Sequence, residues 1–96
     1  MPLKTLADYL SLVGRLVAVS IRDDESGKIN RELIGVVHDL SDSGRHLVLT
    51  DVEEAYLENE DAEVPVVVWH ARVAVLLESI ELIDPTSEVR YRTDRA

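Results

Sequence analysis

The chain has 96 residues, enough for one domain with a modest hydrophobic core. Its lack of cysteine excludes disulfides and thiolate metal sites, and its formal net charge of −9 disfavours binding that rests on bulk attraction to phosphate. The apolar residues are mostly Val, Leu, Ile and Ala, which favours strands. The opening residues read neither as a secretion signal nor as a membrane span, so we expect a cytoplasmic protein.

The start of the chain has the periodicity of a short amphipathic helix. Leu3, Leu6 and Leu10 recur at helical spacing, and Ala7 lies on the same stripe. Gly14 stands where such a helix would end. The pattern predicts a helix over residues 3–12.

Alternating and Val-rich segments follow the helix and predict five β-strands. We expect these strands at residues 15–22, 29–39, 45–50, 64–77 and 79–83. Gly35 lies inside the second strand, where a glycine usually marks a bulge or a sharp bend. The sequence therefore predicts a mainly β fold, in which a short N-terminal α-helix precedes a strongly bent five-stranded antiparallel small β-barrel.

Polar segments separate the predicted strands. Residues 23–28 and 41–44 have the composition of turns. Residues 53–63 are acidic and predict an exposed connection, and a solvated charge run explains them better than cation binding because they lack EF-hand spacing. We expect residues 1–85 to form a single domain and residues 86–96 to form a C-terminal tail.

Four segments of the chain carry a recognisable pattern: PLKTLADYLSLVGRLVAVSIRD at residues 2–23, ELIGVVHD at 32–39, HLVLTDVEE at 46–54 and VWHARVAV at 68–75. In this order they resemble the Sm-like (LSm) family of small ring-forming β-barrels. The last segment also resembles the second motif of the bacterial host-factor RNA chaperone. The resemblance covers residues 2–83 and implies an Sm-like or SH3-like barrel.

The chain departs from the family pattern at the residues that would read RNA. His46 stands where the family has Asn before Leu-Val-Leu, and Trp69 stands where the bacterial motif has Lys. Two alignments of the last strands remain open. One places the turn between strands four and five inside residues 68–75, and the other makes residues 64–77 a single strand.

The resemblance implies a function as well as a fold. Sm-like rings bind single-stranded RNA near their pore by stacking bases and hydrogen-bonding their edges. On this basis the residues expected to contact RNA are Asp42, Arg45, His46, His70 and Arg72. His70 and Arg72 would lie at the turn opposite His46. The implied partners are other copies of the chain, in a homo-oligomeric ring of about five to seven subunits, and single-stranded RNA. We expect no DNA, membrane, metal or cofactor.

The apolar run at residues 64–77 predicts the edge by which copies of the chain assemble. A strand that is apolar on both faces suits a position between a barrel and its neighbour, and an open strand edge pairs readily with a strand of another chain. The partner edge would be residues 79–83. The predicted interface residues are Val66, Val67, Val68, Trp69, Val73, Val75 and Ile80.

Other interpretations of the same residues stay open. A barrel that assembles and binds protein as a structural or adaptor module, without RNA, is favoured by the acidic balance and the departures from the RNA motifs. The sequence favours His46 and His70 as ordinary partly buried strand residues over RNA contacts, and Trp69 as a packing residue of the core or an interface over base stacking. A third hypothesis, a metal-dependent enzyme, would need the histidines of three separate strands, His38, His46 and His70, to converge. No catalytic motif accompanies them, so we do not expect an enzyme.

Overall fold

The computed structural model describes residues 6–22 and 27–86. Its elements in chain order are α1 (Leu6–Leu10), β1 (Leu16–Ile21), β2 (Ile29–Leu40), β3 (His46–Leu57), β4 (Val66–Leu76), a 3₁₀ turn (Leu77–Ser79) and β5 (Ile80–Pro85). The predicted fold, a short helix followed by five antiparallel strands, is confirmed. Leu3 of the predicted helix, residues 23–26 of the predicted first turn and residues 87–96 of the predicted tail lie outside the described residues.

The five strands form one antiparallel sheet in the order β4-β3-β2-β1-β5. Strand β4 pairs with β3, and β5 pairs with β1. Within the described part of the chain, neither β4 nor β5 has a strand on its other side. The sheet therefore has two open edges, at β4 and at β5.

The sheet is bent at Gly35, as the sequence predicts. The pairing of β2 with β3 shifts register between Ile34 and Val36. A Cβ atom at Gly35 would lie 2.8 Å from Val52 Cγ2 and 3.1 Å from the Thr50 carbonyl oxygen. The missing side chain lets the backbone of β2 approach β3 at the bend, which is why glycine is needed there.

One face of the bent sheet encloses the hydrophobic core. Alternate residues of the strands supply it, as the period of two in a strand requires. Tyr9 and Leu12 join it from the N-terminal segment, 4% and 7% exposed. The strand residues of this core are Val17, Val19, Ile21, Leu33, Val37, Leu47, Leu49, Val52, Val75, Ile80 and Ile83.

Several predicted boundaries are wrong: β4 begins at Val66 and not at residue 64, and β5 ends at Pro85 and not at residue 83. Strand β3 does not end at residue 50 but continues to Leu57, so the predicted exposed connection over 53–63 begins with strand residues. Glu53 and Glu54 are consequently buried, each 2% exposed. The α-helix occupies Leu6–Leu10 and does not reach residue 12.

Strand β4 decides between the two alignments of the last strands. It runs without a break from Val66 to Leu76, in one constant register with β3. The turn therefore follows this strand, at Leu77–Ser79, and the alternative that placed a turn inside residues 68–75 is wrong. No helix in the described ranges, 6–22 and 27–86, is both long and apolar enough to cross a membrane.

Candidate functional site

The turn between β2 and β3 is held by its own hydrogen bonds. Ser41 N–H donates to the His46 carbonyl (2.9 Å), and His46 N–H donates back to Ser41 Oγ (3.1 Å). Gly44 N–H donates to the Ser41 carbonyl (2.8 Å), and Gly44 has a φ of 73°, which favours glycine. This turn therefore presents residues 42–45 in a defined conformation.

The β2–β3 turn meets the 3₁₀ turn between β4 and β5. Leu77 N–H donates to the Arg45 carbonyl at 2.9 Å, which ties the two turns together. A pocket of about 170 Å³ lies between them, hereafter the turn pocket. It is lined by Gly44, Arg45, Leu76, Leu77 and Glu78. One basic residue, Arg45, and one acidic residue, Glu78, thus border the same small space.

The predicted RNA-binding residues fall at three places. Arg45 lines the turn pocket, and His46, half-buried, is paired with Leu76 beside it. Asp42 and Arg72 line a different surface, a groove of about 470 Å³ hereafter called the β4 groove. Its full lining is His38, Asp39, Leu40, Ser41, Asp42, Val48, Arg72 and Ala74.

His70 and Arg72 do not lie at the turn opposite His46. Both are inside β4, where His70 pairs with Val52 and Arg72 with Thr50. Because β4 continues for four residues beyond Arg72, the turn at Leu77–Ser79 takes the place that was predicted for them. The structure thus groups Arg45 and His46, groups Asp42 with Arg72, and separates His70 from both groups.

Sequence reasoning missed four residues of the turn pocket: Gly44, Leu76, Leu77 and Glu78. The sequence carried a weak signal for them, since Glu78 and Ser79 interrupt the apolar run just before the last strand. Gly44 was assigned to a turn but not to a site.

His70 belongs to a buried ionic cluster around Glu54. The Glu54 side chain is 3% exposed and accepts hydrogen bonds from Lys28 Nζ (3.1 Å), His70 Nε2 (2.9 Å) and Arg31 Nε. Lys28 also lies 4.5 Å from the centre of the Tyr56 ring. Burial acts to raise the pKa of Glu54, but the hydrogen bonds from His70, Lys28 and Arg31 outweigh it and hold that pKa below its ordinary value. The cluster joins β2, β3 and β4, so its evident role is structural.

The open edge of β4 exposes apolar side chains. Val68 is 37% exposed and Trp69 is 45% exposed, and the Trp69 Nε1–H donates to Asp51 Oδ1 at 2.7 Å. On the other edge, Leu82 of β5 is 41% exposed, a residue that the sequence prediction did not include. Of the remaining predicted interface residues, Val66, Val67 and Val73 are half-buried.

Two predicted interface residues lie inside the subunit. Val75 is 4% exposed and Ile80 is 3% exposed, and both belong to the hydrophobic core. Their side chains pack against other strands of the same chain, so only their main chains are left for a neighbouring copy. Val75 therefore reports on the stability of the subunit rather than on assembly.

The three histidines lie at different levels of the sheet. His46 pairs with Leu76 and His70 pairs with Val52, so their partners are well apart along β3 and β4, while His38 lines the β4 groove. Among the residues that the structure describes, no group of three His, Asp or Glu is placed to hold a metal ion. The hypothesis of a three-histidine metal enzyme has no support in this geometry.

Comparison with solved structures identifies the architecture. No family model matches the chain, and no curated protein matches it. The SmAP1 heptamer of P. aerophilum is 23% identical, with a TM-score of 0.59 over 85% of this chain and 92% of that one. This chain has the Sm fold. Because the identity is below 25%, the likeness shows the fold and leaves the activity to be argued separately.

Two further Sm-fold likenesses differ in what the matched structures contain. The Sm protein of Pyrococcus abyssii, solved with a uridine heptamer, is 15% identical to this chain. The TM-score is 0.53, and the match covers 88% of this chain and 100% of that one. A chain of the NatC complex bound to CoA is 22% identical, with a TM-score of 0.54 over 91% of each chain. The fold thus occurs both in an RNA complex and in a protein complex.

Proposed function

We propose that this chain assembles with copies of itself into a ring, in which β4 of one subunit pairs with β5 of the next. The observation that carries the proposal is the pair of open sheet edges, each with exposed apolar side chains beside it. Strand β4 has 11 residues and β5 has 6, so β5 of a neighbour covers about half of β4. The SmAP1 protein of P. aerophilum, which has the same fold, is a heptamer.

The unpaired edges of the sheet favour an assembled ring over an isolated subunit. A long, exposed, apolar edge strand invites uncontrolled pairing unless something covers it. Two different edges that pair head to tail close into a ring when the rotation between neighbours fits a whole number of subunits. The exposed side chains of Val68, Trp69 and Leu82 would be buried in the same contact.

We propose further that the ring binds single-stranded RNA at the turn pocket of each subunit. A base has both donors and acceptors on its edge, and it suits a pocket faced by Arg45 and Glu78 better than a phosphate alone does. Repetition of the pocket around a ring lets weak contacts with single nucleotides add together. The Sm protein of Pyrococcus abyssii binds a uridine heptamer, which supports the assignment by likeness of fold.

A second candidate function is a structural or adaptor role in which the assembled chain binds protein and no RNA. The net charge of −9 favours it, because RNA affinity grows with the number of phosphates that Lys and Arg neutralise. The likeness to a chain of the NatC complex supports it as well. In both candidates the role is one of binding, and we propose no catalysis.

The assembly is tested by light scattering coupled to size exclusion. Leu82→Lys places a charge in the proposed contact, while Leu82 is 41% exposed in the lone subunit, so the fold should tolerate the change. The matched control is Leu10→Lys, because Leu10 is 48% exposed on α1, away from both edges. We expect a discrete ring mass for the natural chain and for Leu10→Lys, and a subunit mass for Leu82→Lys. An unchanged mass for Leu82→Lys contradicts the edge assignment.

Tryptophan fluorescence gives an independent readout of the same contact. Trp69 is the single tryptophan of the chain and is exposed on the β4 edge. Assembly should shift its emission to shorter wavelength, and Leu82→Lys should remove that shift. Emission that does not depend on protein concentration or on Leu82 would place Trp69 outside the contact.

RNA binding is tested by the anisotropy of fluorescent oligo-U and oligo-A. Arg45→Gln removes the cation of the turn pocket, and Arg72→Gln is the matched control because it removes an equal charge from the β4 groove. We expect a larger loss of affinity from Arg45→Gln at unchanged assembly mass. Equal losses would indicate a general charge effect, and a ring that ignores both oligonucleotides would favour the adaptor function.

A further inference from the structure

The backbone of β3 departs from strand geometry at Asp51, whose φ is 51°. Within residues 6–22 and 27–86, Asn30, with a φ of 53°, is the other residue besides glycine that has a positive φ. This left-handed conformation costs free energy for a residue with a Cβ atom, although Asp and Asn tolerate it better than most. Its occurrence inside a strand of 12 residues needs a local reason.

The bend of the sheet accounts for the backbone of Asp51 but not for its side chain. Because the pairing of β2 with β3 shifts register at this level, Gly35 lies opposite two residues, Asp51 and Val52. A bulge of this kind has its first residue in the left-handed conformation, and that residue is usually glycine. Glycine at position 51 would therefore serve the bend without strain, so the aspartate side chain needs a separate explanation.

The side chain of Asp51 holds the indole of Trp69. Asp51 Oδ1 accepts a hydrogen bond of 2.7 Å from Trp69 Nε1–H, across the gap between β3 and β4. Trp69 is still 45% exposed, so nearly half of the residue faces solvent. An exposed side chain exchanges between rotamers unless a specific contact selects one. The hydrogen bond supplies that contact and gives the exposed ring a fixed orientation.

Trp69 lies on the same face of the sheet as Leu82, the exposed apolar residue of the other edge. Directly opposed residues of neighbouring strands have their side chains on one face. One such row crosses all five strands and consists of Trp69, Glu53, Ile34, Ala18 and Asp84. Leu82 is two residues before Asp84 in β5, so it shares this face. When β5 of a neighbour extends the sheet beside β4, Trp69 and the neighbour's β5 side chains are therefore on one surface.

We propose that Asp51 is a positioning residue for assembly, which orients the Trp69 ring to pack against β5 of the neighbouring subunit. This inference rests on the proposed ring. Tryptophan is among the residues that most often dominate the binding energy of an interface. A ring that is already ordered in the lone subunit loses less entropy on association. The strained backbone of Asp51 is thus retained because glycine, which would relieve the strain, cannot hold the indole.

Two substitutions of Asp51 separate the hydrogen bond from the bulge. Asp51→Gly keeps the left-handed backbone and removes the acceptor, whereas Asp51→Asn keeps an Oδ1 acceptor in a residue that tolerates this backbone. The matched control is Asn30→Gly, which makes the corresponding backbone change at an exposed residue of β2, a strand inside the sheet. Association is measured by light scattering over a dilution series, and the subunit's stability by urea unfolding.

We expect Asp51→Gly to weaken the association of subunits by about threefold to tenfold, with a urea midpoint close to that of the natural chain. Asp51→Asn and Asn30→Gly should both associate like the natural chain. The mobility of the ring is read separately from the fluorescence anisotropy of Trp69, the single tryptophan, in the Leu82→Lys background. There Asp51→Gly should lower the anisotropy and Asp51→Asn should restore it.

Four results would overturn the inference. A ring that assembles equally well with Asp51→Gly would overturn it alone, whereas a natural chain that stays a lone subunit at every concentration would overturn the ring as well. Asp51→Asn that associates as weakly as Asp51→Gly would show that assembly needs the charge and not the hydrogen bond. Quenching of Trp69 fluorescence by oligo-U in the assembled ring would show that the indole stacks on RNA bases and does not pack on a neighbour.

Discussion

Glu54 offers the sharpest test of how this small domain is stabilised. Glu54→Gln keeps the size of the side chain but removes the negative charge that Lys28, Arg31 and His70 share. Breaking a buried ion pair by removing one partner costs about 3–5 kcal/mol when the remaining charge is fully buried. Here the three donors keep side-chain exposures of 31%, 21% and 37%, so water can reach them and the cost is smaller.

We therefore expect Glu54→Gln to lower the free energy of unfolding by about 2–3 kcal/mol. A domain of this size has a total stability of roughly 5–14 kcal/mol, so the loss should lower Tm by about 10–20 °C. The measurement is thermal and urea unfolding followed by circular dichroism at one protein concentration. The control is Glu58→Gln, the same chemical change at an exposed acid, expected to stay within about 0.5 kcal/mol. Equal stability of the two variants would refute the ionic role of Glu54.

The same cluster sets a pH dependence whose sign is fixed. The pKa of Glu54 is held below its ordinary value of 4.5, mainly by His70, Lys28 and Arg31 against the effect of burial. A group whose folded-state pKa is lowered stabilises the fold above its unfolded pKa, and this contribution is lost as pH falls through the folded pKa. The difference in free energy of unfolding between the natural chain and Glu54→Gln should thus have its full size at neutral pH and should shrink only below pH 4.5. A difference that closes between neutral pH and 4.5 would contradict the lowered pKa.

Three further outcomes follow from the packing and from the proposed RNA site. Gly35→Ala should lower the free energy of unfolding by about 1–3 kcal/mol, measured by urea unfolding, because the added Cβ would lie 2.8 Å from Val52 Cγ2. An unchanged urea midpoint would show that β2 can move away from β3. In the same assay, Val75→Ala should lower the free energy of unfolding by about 2 kcal/mol and Val68→Ala by under about 0.5 kcal/mol, because only Val75 is buried in the core. Equal losses of stability would mean that the core boundary lies elsewhere. His46→Ala should weaken oligo-U binding without changing assembly mass; unchanged affinity in the anisotropy assay would leave His46 outside the RNA site.

The succession of the helix and strands along the chain, and the bend at Gly35, could be predicted from local sequence signals. Alternating apolar residues mark each strand because successive side chains point to opposite faces. Gly35 marks the bend because a strand interior rarely uses glycine without a close approach. Both signals lie within the element they describe, so no knowledge of tertiary contacts is needed to read them.

The burial of Glu54 could not be predicted in the same way. Its partners Lys28 and Arg31 are 26 and 23 residues away in the chain, and His70 is 16 residues away. Nothing local distinguishes Glu54 from the exposed acids that follow β3, so the composition of residues 53–63 suggested one solvated segment. A buried carboxylate becomes favourable only when the fold brings cations to it.

The positions of the predicted RNA-binding residues His70 and Arg72 also depended on long-range contacts that the local sequence does not reveal. His70 and Arg72 resemble turn residues only if β4 is broken at their position, and its Val-rich sequence allows both interpretations. Pairing with β3 over the whole of β4 settles the matter and moves the turn to Leu77–Ser79. Long-range strand pairing thus overrode a local motif, and with it the predicted grouping of the RNA-binding residues.

The charge of the chain sets a quantitative limit on the proposed RNA binding. In a ring the negative charge of every copy adds, so RNA can be attracted only where a local cation outweighs it. The cation in the lining of the turn pocket is Arg45. Each neutralised phosphate of single-stranded RNA contributes about −0.7 to the slope of log K against log salt concentration. If Arg45 neutralises one phosphate in addition to contacting the base that the pocket holds, the slope should grow in proportion to the number of pockets that an oligonucleotide fills. A slope that stays near zero while affinity persists would mean that bases, and not phosphates, carry the contact.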